Sequence, residues 1–218
     1  MNSSRSPNLQ QSIREHQELL LKQTERFLQG EVLSSSIREA FLATPRHQFT
    51  PRFPDGRPGL WSDIDESLLL EHLDTLYADQ PFCIYRNNQG EVASTISQPS
   101  LVIYMLHLLE LEPGSSVFEL GGGSAWNAAL MGRIVGTEGR VFSVEVEAAL
   151  IENAQRALSN SGLDNVSLIF GDAMLGLSNH GPFDCGIFTA SAWDLPTVFF
   201  EQIKEGGPVT LTHKDVTR

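Results

Sequence analysis

The sequence predicts an α/β fold in which helices cover both faces of a mainly parallel sheet. Three observations lead to this prediction. From Pro99 onward, apolar runs of strand length alternate with segments of helical periodicity. A glycine-rich turn joins the first of these runs to the next helix. The residues before Pro99 lack the alternation, so they are predicted to form an N-terminal helical addition. The 218 residues suffice for a sizeable core with a small added lobe.

The region after Pro99 contains four predicted strands and four predicted helices. The strands are SSVFEL, RVFSVEV, VSLIFGD and FDCGIFTA, and the helices are SLVIYMLHLLEL, AWNAALMGRIVG, EAALIENAQRALSNSG and LPTVFFEQIKEGG. Parallel sheets of this kind bind ligands beyond the carboxyl ends of their strands. We therefore expect the functional residues at those strand ends.

The region before Pro99 is predicted to be less regular. Residues 1–10 are polar and without periodicity, so we expect disorder there. Two helices should follow, one from Gln11 to Leu28 and one in SSSIREAFLATP, where a serine can cap the first turn. The proline- and glycine-rich FTPRFPDGRPGLW predicts a loop, DIDESLLLEHLDTLY a short acidic helix, and QPFCIYRNNQGEVAST two strands around a turn. We divide the chain into residues 1–75, the addition, and residues 76–218, the main domain, within one compact unit.

Composition disfavours several classes of function. A net charge of -12 argues against a nucleic-acid partner, which needs a basic surface. Cys83 and Cys185 lie in apolar surroundings and are read as buried, reduced thiols, which favours a cytoplasmic protein. The polar N-terminus does not resemble a signal peptide, and no apolar run has the length of a membrane span. The histidines lack metal-ligand spacing, so no metal site is expected.

The glycine turn lies in VFELGGGSAWNAAL. As a dinucleotide fingerprint it fails, because Trp126 occupies the position that should be small. The shorter pattern acidic–apolar–Gly-x-Gly-x-small fits better, with Glu119, Gly121, Gly123 and Ala125. This pattern resembles that of S-adenosylmethionine-dependent methyltransferases. A strand-to-helix turn without a ligand is the alternative interpretation.

Acidic residues follow the turn at the next two strand ends. Glu145 is placed to accept hydrogen bonds from ribose hydroxyls, although a solvated strand end is the alternative. Asp172 could meet an adenine amino group, although Gly-Asp is also common turn chemistry. The candidate cofactor-binding residues are Glu119, Gly121, Gly122, Gly123, Ala125, Glu145, Val146, Gly171, Asp172, Ala173 and Thr189.

A more specific motif precedes the turn: Thr95–Pro99 reads TISQP. Together with AFLATPRHQFTP, YADQP, GLDNV, PFDCGIFTA and EQIKEGG, it resembles the protein-L-isoaspartate O-methyltransferase family. The resemblance implies a Rossmann-like methyltransferase three-layer sandwich with seven strands and an N-terminal helical addition. It also implies S-adenosyl-L-methionine as cofactor and a peptide or protein substrate, methylated on the α-carboxyl of an isoaspartyl residue. Ser97 and Thr95 are implied at the reaction centre.

The implied chemistry is physically reasonable. A carboxylate with a pKa of roughly 4 is already ionised at neutral pH, so no general base is required. Positioning is then the main task, and a serine hydroxyl can donate one hydrogen bond to the carboxylate. The alternative for Ser97 is an ordinary cap of the helix that follows.

Three departures from the family pattern stand out. Ala125 replaces the usual glycine. The segment between FTPRF and YADQP is longer, and IYRNNQGEVASTIS replaces a short link, which suggests a different peptide preference. After EGG the chain reads PVTLTHKDVTR, so we expect the last two strands to be absent, through truncation or through natural reduction. Besides repair of damaged proteins, two alternatives stay open: aspartate methylation of a ribosomally made peptide, and a non-catalytic cofactor-binding relative. Trp193 could contact substrate or pack on its own domain.

Overall fold

A computed structural model of the chain describes residues 6–28, 30–50, 52–54, 61–64, 68–190 and 196–211. It groups them into two compact units, Met1–Tyr104 and Met105–Arg218. The domain division predicted after residue 75 stays a prediction, and the structural grouping falls later, within a helix. Among the described residues, none of the helices combines the length and the apolar character needed to cross a membrane.

The first unit combines helices with two antiparallel strand pairs. Its elements are α1 (Ser6–Thr24), α2 (Ser35–Ala43), β1 (Arg52–Pro54), β2 (Trp61–Asp63), α3 (Leu69–Leu76), β3 (Phe82–Arg86), β4 (Val92–Ile96) and the start of α4 (Pro99–Leu109). As predicted, a serine caps α2: the Ser34 hydroxyl accepts from the Ile37 amide at 3.3 Å. The predicted strands around NNQG are also confirmed. The Asn87 side-chain oxygen accepts from the amides of Gln89 and Glu91, each at 3.0 Å, and closes the hairpin.

Two predictions for this unit were wrong. Helix α1 begins at Ser6, whereas disorder was expected up to residue 10. Pro7 lies in the first turn, where its missing N–H is not needed, so it starts the helix without penalty. A loop was predicted where β1 pairs with β2. Pro54 ends its strand and does not interrupt it, so the proline-rich composition is compatible with a short edge pair.

The second unit is built on a five-stranded parallel sheet of order β7-β6-β5-β8-β9. Its strands are β5 (Ser116–Leu120), β6 (Arg140–Glu145), β7 (Val166–Phe170), β8 (Cys185–Phe188) and β9 (Val209–Leu211), and its helices, after the end of α4, are α5 (Trp126–Val135), α6 (Ala148–Asn160) and α7 (Thr197–Gln202). The strand order reverses at β5, between β6 and β8. The crevice beyond the carboxyl ends of β5 and β8 is therefore the expected ligand position.

Alternate residues of β5 face opposite sides of the sheet. The Phe118 ring stacks 4.6 Å from Phe199 of α7, within an aromatic core that includes Phe183 and Phe188. On the other side, the Glu119 carboxylate meets Asn127 of α5 at 2.7 Å. Helices α5 and α7 thus cover opposite faces, which confirms the predicted layered α/β fold.

Strand β9 corrects the prediction for the segment after EGG. We expected no strand there because of Pro208 and the polar residues that follow. In the structure the Gly186 amide donates to the Pro208 carbonyl oxygen at 3.0 Å, and Val209–Leu211 then pairs with β8. The proline contributes an acceptor, so its missing donor costs nothing at the first position of the strand. The expectation about further strands concerns residues after Leu211, which lie outside the described residues.

Candidate active site

The glycine turn between β5 and α5 is shaped by close packing within the second unit. Gly121 has a φ of +100°, and a Cβ added there would lie 2.6 Å from the Ala190 amide nitrogen. A Cβ on Gly122 would lie 2.6 Å from a methyl of Leu168 and 2.8 Å from the Ser143 hydroxyl. Side chains are therefore excluded at both positions by the surrounding protein.

Ala125 ends the turn in a left-handed conformation, with φ 62° and ψ 12°. Its carbonyl accepts the Ala129 amide at 2.9 Å, and its side chain is fully buried. A residue with a Cβ pays roughly 1–2 kcal/mol in this conformation relative to glycine. The left-handed backbone at this position explains why the family pattern has glycine there. Alanine at position 125 therefore introduces local strain.

Glu119 lies beneath the turn and is completely buried. Its carboxylate accepts hydrogen bonds from the Asn127 amide at 2.7 Å and the Ser143 hydroxyl at 2.6 Å, and the Thr189 hydroxyl lies 3.4 Å away. Burial raises the pKa of Glu119 to about 7, with hydrogen bonds from these neighbours acting in the opposite direction. These bonds link β5 to α5 and β6 within the second unit. The role of Glu119 at the cofactor stays a prediction.

Glu145 ends β6 and is held by two backbone amides. One carboxylate oxygen accepts from Gly123 at 2.6 Å and the other from Glu147 at 2.8 Å. A carboxylate has about four acceptor positions, so these bonds leave capacity for further donors. The side chain is thereby fixed in direction at the carboxyl end of a strand next to the glycine turn.

The end of β7 contains the remaining acidic candidate. Asp172 accepts from the Met174 amide at 2.9 Å and so caps the short 3-10 turn Ala173–Leu175. This is the turn chemistry that the sequence left open as an alternative. Ala173 is buried, and the Gly171 amide donates to the Glu145 carbonyl at 3.0 Å. Ala173 thus packs in the hydrophobic core and Gly171 bonds to the end of β6, and their roles at the cofactor stay predictions.

Two further candidates differ in exposure. Val146, directly after Glu145, is 71% exposed, an unusual position for an apolar side chain next to a buried carboxylate. Thr189, at the end of β8, places its hydroxyl 2.5 Å from the Gly121 carbonyl oxygen and 3.0 Å from that of Leu120. Thr189 thus ties β8 to the glycine turn.

The Thr95–Pro99 motif lies in the first unit, where β4 leads into α4. Thr95 is exposed and Ser97 is half-buried. The first turn of α4 is capped by Asp79, whose carboxylate accepts from the Ser100 amide at 2.9 Å and lies 3.3 Å from the Gln98 side-chain nitrogen. A cap formed by the Ser97 hydroxyl, the alternative left open by the sequence, is therefore not what the structure contains.

Arg46 was missed by the sequence analysis. Its side chain is fully buried, and its guanidinium donates to five main-chain carbonyl oxygens. The acceptors are Leu76 (2.9 Å), Ala78 (3.2 Å), Gln80 (3.0 Å), Ile96 (3.4 Å) and Ser97 (2.8 Å). Arg46 lies in PRHQF, within the segment AFLATPRHQFTP, and this stretch has no periodicity that would predict a buried arginine.

Two other predictions concern metals and an aromatic residue. The structure brings no three histidine, cysteine or acidic side chains together as a metal site within its described ranges. Trp193 lies outside the described residues.

Residues 14–214 match the family model described as Protein-L-isoaspartate(D-aspartate) O-methyltransferase. A relative of that name from Thermotoga maritima is 35% identical over 178 residues, which is 81% of this chain and 50% of the relative. One from Pyrococcus horikoshii is 34% identical over 183 residues, covering 84% of this chain and 71% of the relative. The chain thus spans about half the length of the Thermotoga maritima protein.

Solved structures agree with these matches. A protein-L-isoaspartate O-methyltransferase superposes with a TM-score of 0.73 at 31% identity, over 90% of this chain and 55% of that chain. A Plasmodium falciparum structure, described as a methyltransferase of this kind in complex with S-adenosyl-L-homocysteine, has a TM-score of 0.68 at 19% identity over 93% of this chain and 85% of its own, which shows a shared fold. The glycine turn, the TISQP motif and these matches together show that the chain belongs to the protein-L-isoaspartate (D-aspartate) O-methyltransferase family.

Proposed function

We propose that this protein uses S-adenosyl-L-methionine to methylate the side-chain carboxylate of isoaspartyl or aspartyl residues in peptides or proteins. The observation that carries the proposal is the Glu145 carboxylate, fixed by two backbone amides beside a glycine turn that excludes side chains. Family membership supports the same activity, since the matched relatives bear that name.

The residues at the strand ends fit this cofactor. Glu145 has acceptor capacity for ribose hydroxyls, and the exposed Val146 offers an apolar surface for an adenine ring. The cofactor has no phosphate, so the turn does not need to bind an anion. The S-adenosyl-L-homocysteine complex of the Plasmodium falciparum protein supports this assignment. Bound at this turn, S-adenosyl-L-methionine would supply an electrophilic methyl group.

The role proposed for Ser97 is orientation of the substrate carboxylate. Its hydroxyl forms no hydrogen bond within the described part of the chain. The hydroxyl is not needed to cap α4, because Asp79 accepts from the Ser100 amide in the first turn. The hydroxyl can therefore donate to an ionised carboxylate, which needs no general base. Thr95 lies on β4, two residues before Ser97, and is exposed, which suits contact with an extended peptide.

Two measurements test cofactor binding and then distinguish isoaspartyl from aspartyl substrates. Thermal-shift measurements with S-adenosyl-L-methionine and S-adenosyl-L-homocysteine come first, and both should stabilise the protein. No shift with either would overturn the cofactor assignment. Methyl transfer to an isoaspartyl peptide is then compared with transfer to the same peptide carrying normal aspartate. Preference for isoaspartate indicates repair, preference for aspartate indicates peptide tailoring, and binding without transfer indicates the non-catalytic alternative.

Replacing Ser97 tests its orienting role. We expect Ser97→Ala to lower kcat about 10- to 100-fold, because a hydrogen bond to a charged group contributes roughly 1.5–3 kcal/mol. The Kd for the cofactor should change less than twofold, on the order of 0.4 kcal/mol or below. Ser94→Ala, on β4 three residues before Ser97, is the control. Equal losses of turnover and cofactor affinity in Ser97→Ala would contradict the role.

We also propose a cytoplasmic location, from the buried reduced cysteines Cys83 and Cys185. No nucleic-acid partner is proposed, given the net charge of -12.

A further inference from the structure

Arg46 joins its own segment, after α2, to two other segments of the first unit. Its hydrogen bonds reach the end of α3 at Leu76, the following turn at Ala78 and Gln80, and the TISQP motif at Ile96 and Ser97. The guanidinium also lies over the Phe82 ring, 4.6 Å from its centroid. One side chain therefore sets the distance between the motif and two other segments.

This arrangement is costly to maintain. Burial lowers the pKa of Arg46 to about 9, so the buried group still carries its charge at neutral pH. Apolar residues of similar volume often stabilise a core at least as well as buried charges. The arrangement is thus better explained by what it positions than by stability alone. A lysine could not replace it, because only the planar guanidinium offers five donors in fixed directions.

Asp79 completes the arrangement from the other side of Ser97. It lies in the turn whose carbonyls Arg46 binds, and its carboxylate accepts from the Ser100 amide at 2.9 Å. The Gln98 side chain bridges Asp79 at 3.3 Å and the Ser100 hydroxyl at 2.9 Å. The backbone is thus held on both sides of Pro99, at Ser97 by Arg46 and at Ser100 by Asp79.

We propose that Arg46 and Asp79 are positioning residues that fix the main-chain path from Ile96 to Ser100 and thereby aim the Ser97 hydroxyl at the substrate carboxylate. This inference rests on the proposed function for the role of Ser97. Neither residue needs to touch substrate or cofactor, since both act through the backbone that carries Ser97.

The test is a double-mutant cycle with Arg46→Lys and Ser97→Ala. We expect Arg46→Lys to lower kcat about tenfold or more, corresponding to about 1.4 kcal/mol, while cofactor affinity stays within about twofold. In the Ser97→Ala background the same change should have little further effect, because the group that it positions is gone. Arg38→Lys, on α2 of the same unit, is the matched control. Fully additive losses in the cycle would overturn the inference.

Amide hydrogen exchange provides a second measurement that does not depend on methyl transfer. Arg46→Lys and Asp79→Ala should each accelerate exchange of the Ser100 amide about tenfold or more, with exchange in β5 and β6 unchanged. Unchanged exchange at Ser100 in both variants would refute the positioning role. If the wild-type protein methylates no peptide, the proposed function fails while this measurement still decides whether the loop is held by the two residues. Asp79→Ala carries the test should Arg46→Lys fail to fold.

Discussion

The burial of the Glu119 carboxyl predicts how the free energy of unfolding depends on pH. Burial raises its pKa from 4.5 to about 7 in the folded protein. A raised pKa means that the folded state binds the proton more tightly than the unfolded chain. The associated stabilisation is complete below pH 4.5 and is lost as the pH rises through about 7. The difference of roughly 2.5 pH units corresponds to about 3 kcal/mol.

The substitution Glu119→Gln isolates this effect. The glutamine amide oxygen can accept from Asn127, and its nitrogen can donate to the Ser143 hydroxyl, so the two short hydrogen bonds are preserved. The variant has no buried charge to lose or gain a proton. We therefore expect the free energy of unfolding of the variant, relative to wild type, to rise by up to about 3 kcal/mol between pH 4.5 and pH 8.

The assay is urea-induced unfolding of both proteins at several pH values. Taking the difference between them cancels the contribution of all other titrating groups. Glu138→Gln, which removes an exposed carboxylate from the same unit, is the control for net charge. If the two unfolding curves of wild type and Glu119→Gln keep a constant separation from pH 4.5 to pH 8, Glu119 does not titrate as its burial requires and the reasoning is wrong.

Two other predictions concern a strained backbone and a half-buried imidazole. Ala125→Gly should be close to neutral in the free energy of unfolding, because relief of roughly 1–2 kcal/mol of left-handed strain is offset by the lost methyl, about 0.8 kcal/mol, and by glycine entropy. Ala128→Gly, equally buried but inside α5, should cost about 2 kcal/mol; equal losses by chemical denaturation would contradict the strain. His47, bonded to the Tyr77 hydroxyl at 2.8 Å, has its pKa lowered by burial to about 4. The neutral ring stabilises the folded protein above pH 6.5, and this stabilisation is lost as the pH falls towards 4. We expect a loss of up to about 2 kcal/mol in the free energy of unfolding, because solvent reaches part of the ring and reduces the effect. A His47→Gln variant with the same acid sensitivity as wild type would count against this assignment.

The sequence predicted the alternating region well because its elements follow simple periodic patterns. Each strand of the parallel sheet from β5 to β8 is an apolar run bounded by turn residues. Burial on both faces produces that pattern directly in β5 and β8. The short elements were harder. Strands β1 and β9 contain three residues each, which is too few to show an alternating pattern. A proline ends β1 and another precedes β9, and prolines usually argue against a strand.

The candidate site was predictable in its positions and less so in the roles of its side chains. The order of residues along the chain placed Glu119, Glu145 and Asp172 at strand ends. It could not show that Glu119 turns away from solvent, or that Asp172 caps its own turn, because these depend on which face of the sheet is covered. The burial of Arg46 could not be predicted from the sequence either, because its partners are main-chain oxygens, which every residue type provides.

The hydrogen bonds of Arg46 to backbone oxygens have a consequence for how the sequence of this region can change. Carbonyl groups are the same whatever side chain they accompany, so residues at Leu76, Ala78 and Gln80 can be exchanged without removing an acceptor. The hairpin of β3 and β4 can likewise vary in length, provided that its last residues return to the same place. A single donor group thus permits variation in the segments around it, which would let one reaction geometry be combined with different peptide-recognition surfaces.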